Sequence, residues 1–495
     1  MVPLSRWLLL VLLGPALAGC GLKPAPEIAT PAPDLAPSYF YIPETQTAAD
    51  VEALLPYEDA GFATLAEQAL INAPSLAEAL ARVDVARGGA ARAGAERWPN
   101  ISADASVTEN RINPNQFGDA GASGLIPSTQ TFYGANLVAS WDPDIFGQLR
   151  AQERAALARI DAASASAGAV RNALLAEIAG SVIDWRTLAA RTAALQSDVE
   201  AAQSLTRLAK AREQAGISPG FDRVRAEAQA SASRSRLAAV ESERVRIIGR
   251  LVTLTGVGAR QVSAALAGSS AALAPPPTPA ALPSELLTNR PDILAAAAEL
   301  AATDADLASA SRARFPRFTL SGVLGLLAFD PSDLFDNDSI VGSLTAGVAG
   351  PLLDFGRISA EIDTAAANKR IAFAAYRGAV FQALGDAEAA YGLITASDAE
   401  AALALKENSE LERAARLADT RYRAGLVNFS EVLEARRAAD ASGERAAASV
   451  GRANRARVLL WQALGGSGAR GRRGFKLTAA RAQNARTGTR PRRAG

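Results

Sequence analysis

Ile101-Ser102-Ala103-Asp104-Ala105-Ser106-Val107-Thr108 changes character at every step, apolar at the odd positions and polar at the even ones. A period of two marks a strand with one apolar face, because successive side chains point to opposite sides of a sheet. The alternation recurs downstream. Tyr133, Ala135, Leu137, Ala139 and Trp141 share one face, and Phe132, Gly134, Asn136, Val138 and Ser140 share the other. Farther on, Phe318, Leu320, Gly322, Leu324 and Leu326 line one face of a strand, and Leu344, Ala346 and Val348 one face of its partner. The chain therefore reads as two strand hairpins, with Gly/Asn/Pro-rich loops at 112–130 and 330–339. Strands of about 9–11 residues are long enough to cross an outer membrane, where an open sheet edge is not tolerated. The smallest closed barrels have about eight strands, so four need at least one further copy, and three copies would give twelve. The alternative is a small soluble β-subdomain beside a helical bundle.

What surrounds the strands is helical. No proline occurs from Asp144 to Ser218 or from Leu352 to Gly465, and both stretches are rich in Ala, Leu, Glu and Arg. At ~1.5 Å per residue, a run of about 65 residues is a rod of about 100 Å, which must pack along its length against other rods. Leu174, Ile178, Val182, Trp185 and Leu188 fit one face of such a helix. Many stripe positions are Ala, which lets neighbouring helices approach closely. Each rod turns once, near Gly216-Ile217-Ser218-Pro219 and Gly425-Leu426-Val427-Asn428, giving two helical hairpins.

The two halves repeat one another. Pro74 and Trp98-Pro99 recur as Pro291 and Phe315-Pro316, both at an offset of 217. Phe146-Gly147 recurs as Phe355-Gly356, and Arg207-Leu208-Ala209 with Ala215-Gly216-Ile217 as Arg416-Leu417-Ala418 with Ala424-Gly425-Leu426, all at an offset of 209. The second copy is therefore shorter by the difference between those offsets, and the loss falls between Pro316 and Phe355. This gives a first repeat at 57–260, an Ala/Pro-rich linker at 261–283 and a second repeat at 284–466, with a basic tail at 467–495.

Residues 1–19 have the layout of a secretory signal, with Arg6 before the apolar run Trp7-Leu8-Leu9-Leu10-Val11-Leu12-Leu13. That run is too short to span a bilayer. It ends Leu17-Ala18-Gly19-Cys20, with the only cysteine of the chain at the last position. Residues 20–56 then read as a tether, with Pro24, Pro26, Pro31, Pro33 and Pro37 favouring extended backbone.

Composition excludes much. Of 495 residues, 52 are basic and 51 acidic, so the overall charge does not call for nucleic acid. There is no histidine, which removes Ser-His-Asp and HExxH chemistry. No lysine is preceded by serine three residues earlier, so the S-x-x-K nucleophile is missing too. Nothing points to an enzyme, a metal site or a catalytic residue. A lone Met and absent His also leave the chain without the soft ligands that copper prefers. The tail carries nine basic residues and no acid, leaving residues 1–465 with 43 basic against 51 acidic, a net charge of −8.

Together these residues resemble the TolC-like outer-membrane efflux protein family, in particular its lipoprotein branch of OprM/NodT type. The matches are Leu282-Pro283-Ser284-Glu285-Leu286-Leu287 running into Arg290-Pro291-Asp292-Ile293, then Ala298-Glu299-Leu300 and Phe315-Pro316. Trp141-Asp142-Pro143-Asp144-Ile145-Phe146-Gly147 and Gly350-Pro351-Leu352-Leu353-Asp354-Phe355-Gly356-Arg357 resemble its strand-to-helix junctions. Arg421-Tyr422-Arg423-Ala424-Gly425 followed by Val432-Leu433-Glu434-Ala435 resembles its last hairpin tip. Leu17 to Cys20 is similar to a lipobox, which implies lipidation of Cys20, and Gly21 in place of Asp points to the outer membrane.

The resemblance implies a mainly α fold with β: a homotrimer whose twelve-stranded transmembrane β-barrel continues into a periplasmic α-barrel of long hairpins. It implies the exit duct of a tripartite pump, conducting small toxic compounds or drugs passively, with a periplasmic adaptor and an inner-membrane transporter of the RND type as partners. No cofactor is implied beyond the lipid on Cys20. The family's periplasmic gate maps to Asp222, Glu431 and Glu434, where three chains would bring six Glu carboxylates around the axis; crowded like charges raise carboxylate pKa values. Val427 and Arg225 depart from the family's gate pattern. The alternative is that these acids are solvated and paired with Arg421, Arg423, Arg436 or Arg437. The hairpin tips at Gly216, Ile217, Gly425 and Leu426 are the implied adaptor contacts, or simply helix caps. Other readings are a type I secretion duct and a structural periplasmic lipoprotein without a pore.

Overall fold

The computed structural model describes residues 26–42, 51–113, 128–268 and 275–466. The described residues divide into two compact units, one of 26–31, 86–160 and 298–374, the other of 32–85, 161–297 and 375–466.

The helices of eight residues or more are α1 (Ala60–Asn72), α2 (Pro74–Ala95), α3 (Gln148–Gln214), α4 (Gly220–Thr255), α5 (Ala259–Leu266), α6 (Pro291–Arg312), α7 (Arg357–Arg423) and α8 (Phe429–Ala463). The strands are β1 (Asn100–Arg111), β2 (Thr129–Trp141), β3 (Arg317–Ala328) and β4 (Ile340–Ala349). The duplication holds residue for residue. Adding 217 turns α2 into α6 and β1 into β3, and adding 209 turns α3 into α7, both of 67 residues.

The first unit holds the sheet, whose order is β1-β2-β3-β4 with all pairs antiparallel. Beneath it, Leu307 of α6 and Ile358, Ile362 and Ala366 of α7 form a small core that also covers Ile28. Ion pairs join its helices: Arg97 to Glu153, Arg159 to Asp306, and Lys369 to Asp304 at 2.6 Å.

The second unit has a larger core. Phe62 and Leu65 of α1, Leu175, Ile178 and Val182 of α3, Leu251 of α4, Tyr391 of α7 and Trp461 of α8 are all buried in it. Each such side chain contributes about 1.5–3 kcal/mol relative to exposure. Leu174, Ile178, Val182 and Leu188 of the expected stripe are buried and Trp185 packs at the edge of that core. Asp59 caps α1 by accepting from the Phe62 amide at 3.1 Å, and its carboxylate also takes a bidentate pair from Arg186 of α3 at 2.7 and 3.1 Å. Arg455 of α8 makes a similar fork to Asp184 of α3 at 2.7 and 2.5 Å.

Two stretches that composition marks as loose are pinned to this unit. The Ala/Pro-rich stretch opens inside α5, whose Val262 and Leu266 are core residues. At its far end the Tyr391 hydroxyl donates to the Pro279 carbonyl at 3.2 Å and Arg457 donates to that of Pro276 at 2.5 Å. In the N-terminal segment Tyr39 is buried against Tyr391, and the Glu388 carboxylate accepts from the Phe40 amide at 2.8 Å. Proline content predicts extended backbone there, but one buried aromatic and a charged acceptor fix where it lies.

Candidate functional site

The cross-strand register makes the sheet two-faced. Ile101, Ala139 and Gly322 are aligned, as are Ala103, Leu137 and Leu324, and Ala105, Ala135 and Leu326. On β4 the same face continues with Val348 opposite Phe318, Ala346 opposite Leu320 and Leu344 opposite Gly322. The other face carries Ser102, Asp104, Ser106 and Thr108 of β1, Asn136 and Ser140 of β2, Thr319 and Ser321 of β3, and Ser343 and Thr345 of β4. Asn136 donates to Asp104 across that face at 3.2 Å. The apolar face lies open, with Leu344 78% exposed. Among the described residues β1 pairs only with β2 and β4 only with β3, so both edges present free backbone groups. An exposed apolar face on a sheet with two open edges cannot be stable in water by itself.

The hairpin tips are built alike. The Gly216 amide donates to the Glu213 carbonyl at 2.9 Å and the Ile217 amide to that of Arg212 at 2.8 Å; Gly425 and Leu426 repeat this to Tyr422 and Arg421 at 3.0 and 2.9 Å. This is the helix-ending motif that places its C′ residue in the left-handed region, here Gly216 at φ 69 and Gly425 at φ 76. Beneath the tips Tyr422, Phe429, Val432 and Leu433 are buried with Leu205, Ala209 and Ala226, joining both hairpins. The Arg212 guanidinium lies 4.6 Å over the Tyr422 ring, and burial raises the Tyr422 pKa while Arg212 opposes the rise. Ile217, Phe221 and Leu426 remain exposed on the outside.

A protein-family model described as outer membrane efflux protein matches residues 65–257 and 282–466. The chain belongs to the outer membrane efflux protein family. Its relatives include the pyoverdine export outer membrane protein OpmQ of Pseudomonas aeruginosa, 31% identical over 83% of this chain and 86% of that one. OprJ, an outer membrane protein of the same organism, is 29% identical over 93% and 96%. The solved structure of the outer-membrane channel OprN superposes with a TM-score of 0.81 at 25% identity, covering 90% of this chain and 99% of that one. The chain is thus an outer-membrane efflux channel protein and not an enzyme, with the mainly helical, four-stranded fold of TolC-like channels. Among the described residues no helix is long and apolar enough to cross a membrane.

Both hairpin tips carry the acids that the family resemblance singles out. Asp222 is in the first turn of α4 and Glu431 in the first turn of α8, where the Asn428 side chain accepts from the Glu431 amide at 2.9 Å. Carboxylates in a first turn are also favoured by the helix dipole. Glu431 and Glu434 are exposed, and Asp222 is half-buried. Three of the four arginines offered as their partners are engaged elsewhere: Arg423 with Asp419 at 3.0 Å, Arg436 with Asp440 at 3.2 Å, and Arg437 with Gln229 at 2.7 Å. Arg225, the duplicate of Glu434, donates to Ser430 beside Glu431 at 2.7 Å. Cys20 lies outside the described residues, as does the tail from residue 467.

One cluster is not legible as a site in the sequence. Asp198 of α3 and Asp440 of α8 are buried at 4% and 2% exposure, with the Arg436 guanidinium 4.0 Å from one and 3.2 Å from the other. Among the described residues Asp198 Oδ2 and both Asp440 oxygens have no hydrogen-bond partner. Burial first, then the neighbouring Asp440 carboxyl, push Asp198 up to about 8. Asp440 is raised as well, chiefly by burial, against the opposing pull of the Asp198 carboxyl and of the Arg436 and Arg236 charges. Arg436 Nε lies 3.2 Å from Asp440 and Arg236 Nη2 3.7 Å, and these arginines reach on to Glu412 at 3.8 Å and Glu444 at 2.9 Å. The signal that could find it is an acid inside an apolar stripe, since Asp198 falls between Leu195 and Ala202 at helical spacing, both buried.

Proposed function

We propose that three copies of this chain join their sheets edge to edge into one twelve-stranded barrel in the outer membrane, continuous with a tunnel of twelve long helices. The assembly is the exit duct of a tripartite efflux pump and conducts small toxic compounds or drugs passively to the exterior. The observation that carries this reading is the sheet itself: its register gathers the Leu, Ile and Ala side chains on one face and most of the polar ones on the other, and leaves both edges open. Lipid can cover the apolar face, water the polar one, and only another strand can satisfy the edges.

The remaining parts follow from this arrangement. A lipid on Cys20 anchors the N-terminus to the outer membrane, each buried CH2 adding about 0.8 kcal/mol. The turns at Gly216, Ile217, Gly425 and Leu426 contact the periplasmic adaptor, supported by the exposed Ile217 and Leu426 side chains, and an RND-type inner-membrane transporter completes the pump. Asp222, Glu431 and Glu434 of three chains ring the periplasmic mouth and favour cations there.

The purified protein in detergent should have the mass of three protein chains by light scattering, and should form conducting pores in a planar bilayer. A monomer that never conducts would overturn the reading.

A further inference from the structure

Within the chain, the two repeats meet at the base of the sheet through an aromatic cluster of Phe146 with Phe315 and Phe318. Phe146, between β2 and α3, stacks on Phe315, between α6 and β3, with ring centroids 4.8 Å apart and planes 14° from parallel. Beside it Arg317 donates to the Gln148 side chain at 3.0 Å. The contact exists because β2 and β3 are neighbours, so the first repeat's exit from the sheet lies against the second repeat's arrival.

The duplicates of these two rings have no such partner. Phe355, which repeats Phe146, is 92% exposed, and Trp98, which Phe315 repeats, is 74% exposed. Phe355 also holds φ 51, a left-handed conformation that residues with a Cβ rarely adopt. Both stand beside open edges of the sheet, Phe355 after β4 and Trp98 before β1.

We propose that Phe355 of one protomer packs on Trp98 of the next, reproducing between chains the Phe146–Phe315 contact made within each chain. This rests on the trimer reading above and adds the interface residues and the strand register. Carrying the β2–β3 register across by the two repeat offsets sets Val348 opposite Ala105 and Ala346 opposite Val107 of the second copy. Apolar face then meets apolar face, whereas a shift by one residue would bring Val348 opposite Asp104 or Ser106. The polar pair recurs with its roles exchanged, since Arg357 stands in the place of Gln148 and Asn100 in that of Arg317. The second copy covers the two rings through the same continuity that closes the sheet.

The test uses the full-length lipoprotein, whose one native cysteine is the lipidated Cys20. Trp98→Cys with Phe355→Cys is treated with a short bis-methanethiosulfonate, alongside each single variant and Phe146→Cys with Phe315→Cys. Covalent dimers and trimers are expected on a denaturing gel from the first pair, and only monomers from the singles and the intrachain pair. Independently, Phe355→Asp should raise the trimer's dissociation constant at least tenfold while Phe355→Trp leaves it unchanged. Light scattering on unlinked protein separates the two readings. A trimer in which the first pair stays monomeric, or in which Phe355→Asp changes nothing, overturns this contact and leaves the duct standing. A monomer on light scattering overturns both.

Discussion

Asp198 of α3 and Asp440 of α8, far apart in the chain, are two buried carboxyl groups around one guanidinium, that of Arg436, and burial raises both above the usual carboxylate range. A carboxyl whose folded pKa is raised binds its proton more tightly in the folded state than in the unfolded one. Stability therefore falls as pH rises from the unfolded value near ~4 towards the folded value, and levels off above it.

With Asp198 pushed up to about 8, the thermal midpoint of the detergent-solubilised protein should drop between pH 6 and pH 9. Asp198→Asn removes the titrating group and its charge from the buried cluster and should flatten that slope, giving a higher midpoint than the native protein at pH 9. Circular dichroism melts at both pH values measure this, and an equal slope in the two proteins would refute the raised Asp198 pKa.

Asp59 and Arg186 predict the opposite pH response. Burial alone would raise the Asp59 pKa, but the Arg186 hydrogen bonds and charge outweigh it and hold the carboxyl below its usual range. Its contribution is present above the unfolded pKa and is lost as pH falls through the folded one. Arg186→Ala strands a buried carboxylate and should cost about 3–5 kcal/mol, read as a lowered denaturant midpoint at pH 7.

The two faces of β4 should respond differently to the same charge. Leu344→Arg places a cation on the apolar face and should cost about 2–4 kcal/mol of insertion if that face meets lipid. Thr345→Arg, one residue on and on the polar face, should leave the assembled fraction in outer-membrane preparations close to native. Equal losses from both substitutions would contradict the face assignment.

Glu431→Ala with Glu434→Ala should reduce the cation-over-anion permeability ratio by about twofold or more in planar bilayers, because rings of like charge bias ion passage. Both side chains are exposed, so the melting temperature should not move. Unchanged selectivity would remove these residues from the mouth of the channel.

Local pattern was enough for the elements. The alternation through Ile101 to Thr108 announced β1, the proline-free stretches announced α3 and α7, and the paired offsets of 217 and 209 announced the duplication. All three depend on the spacing of apolar, proline and glycine residues along a few turns or one strand, which the chain carries in its own order.

What the sequence determined by itself was thus the kind, length and repetition of its parts, since period and backbone restriction act locally. The tertiary structure alone decided that Asp198 meets Asp440, that Phe146 rests on Phe315 while Phe355 has no ring to rest on, and that Tyr39 locks onto Tyr391. These depend on which distant segments become neighbours and how much water they exclude, and burial and proton affinity are properties of such neighbourhoods, not of a residue's place in the chain.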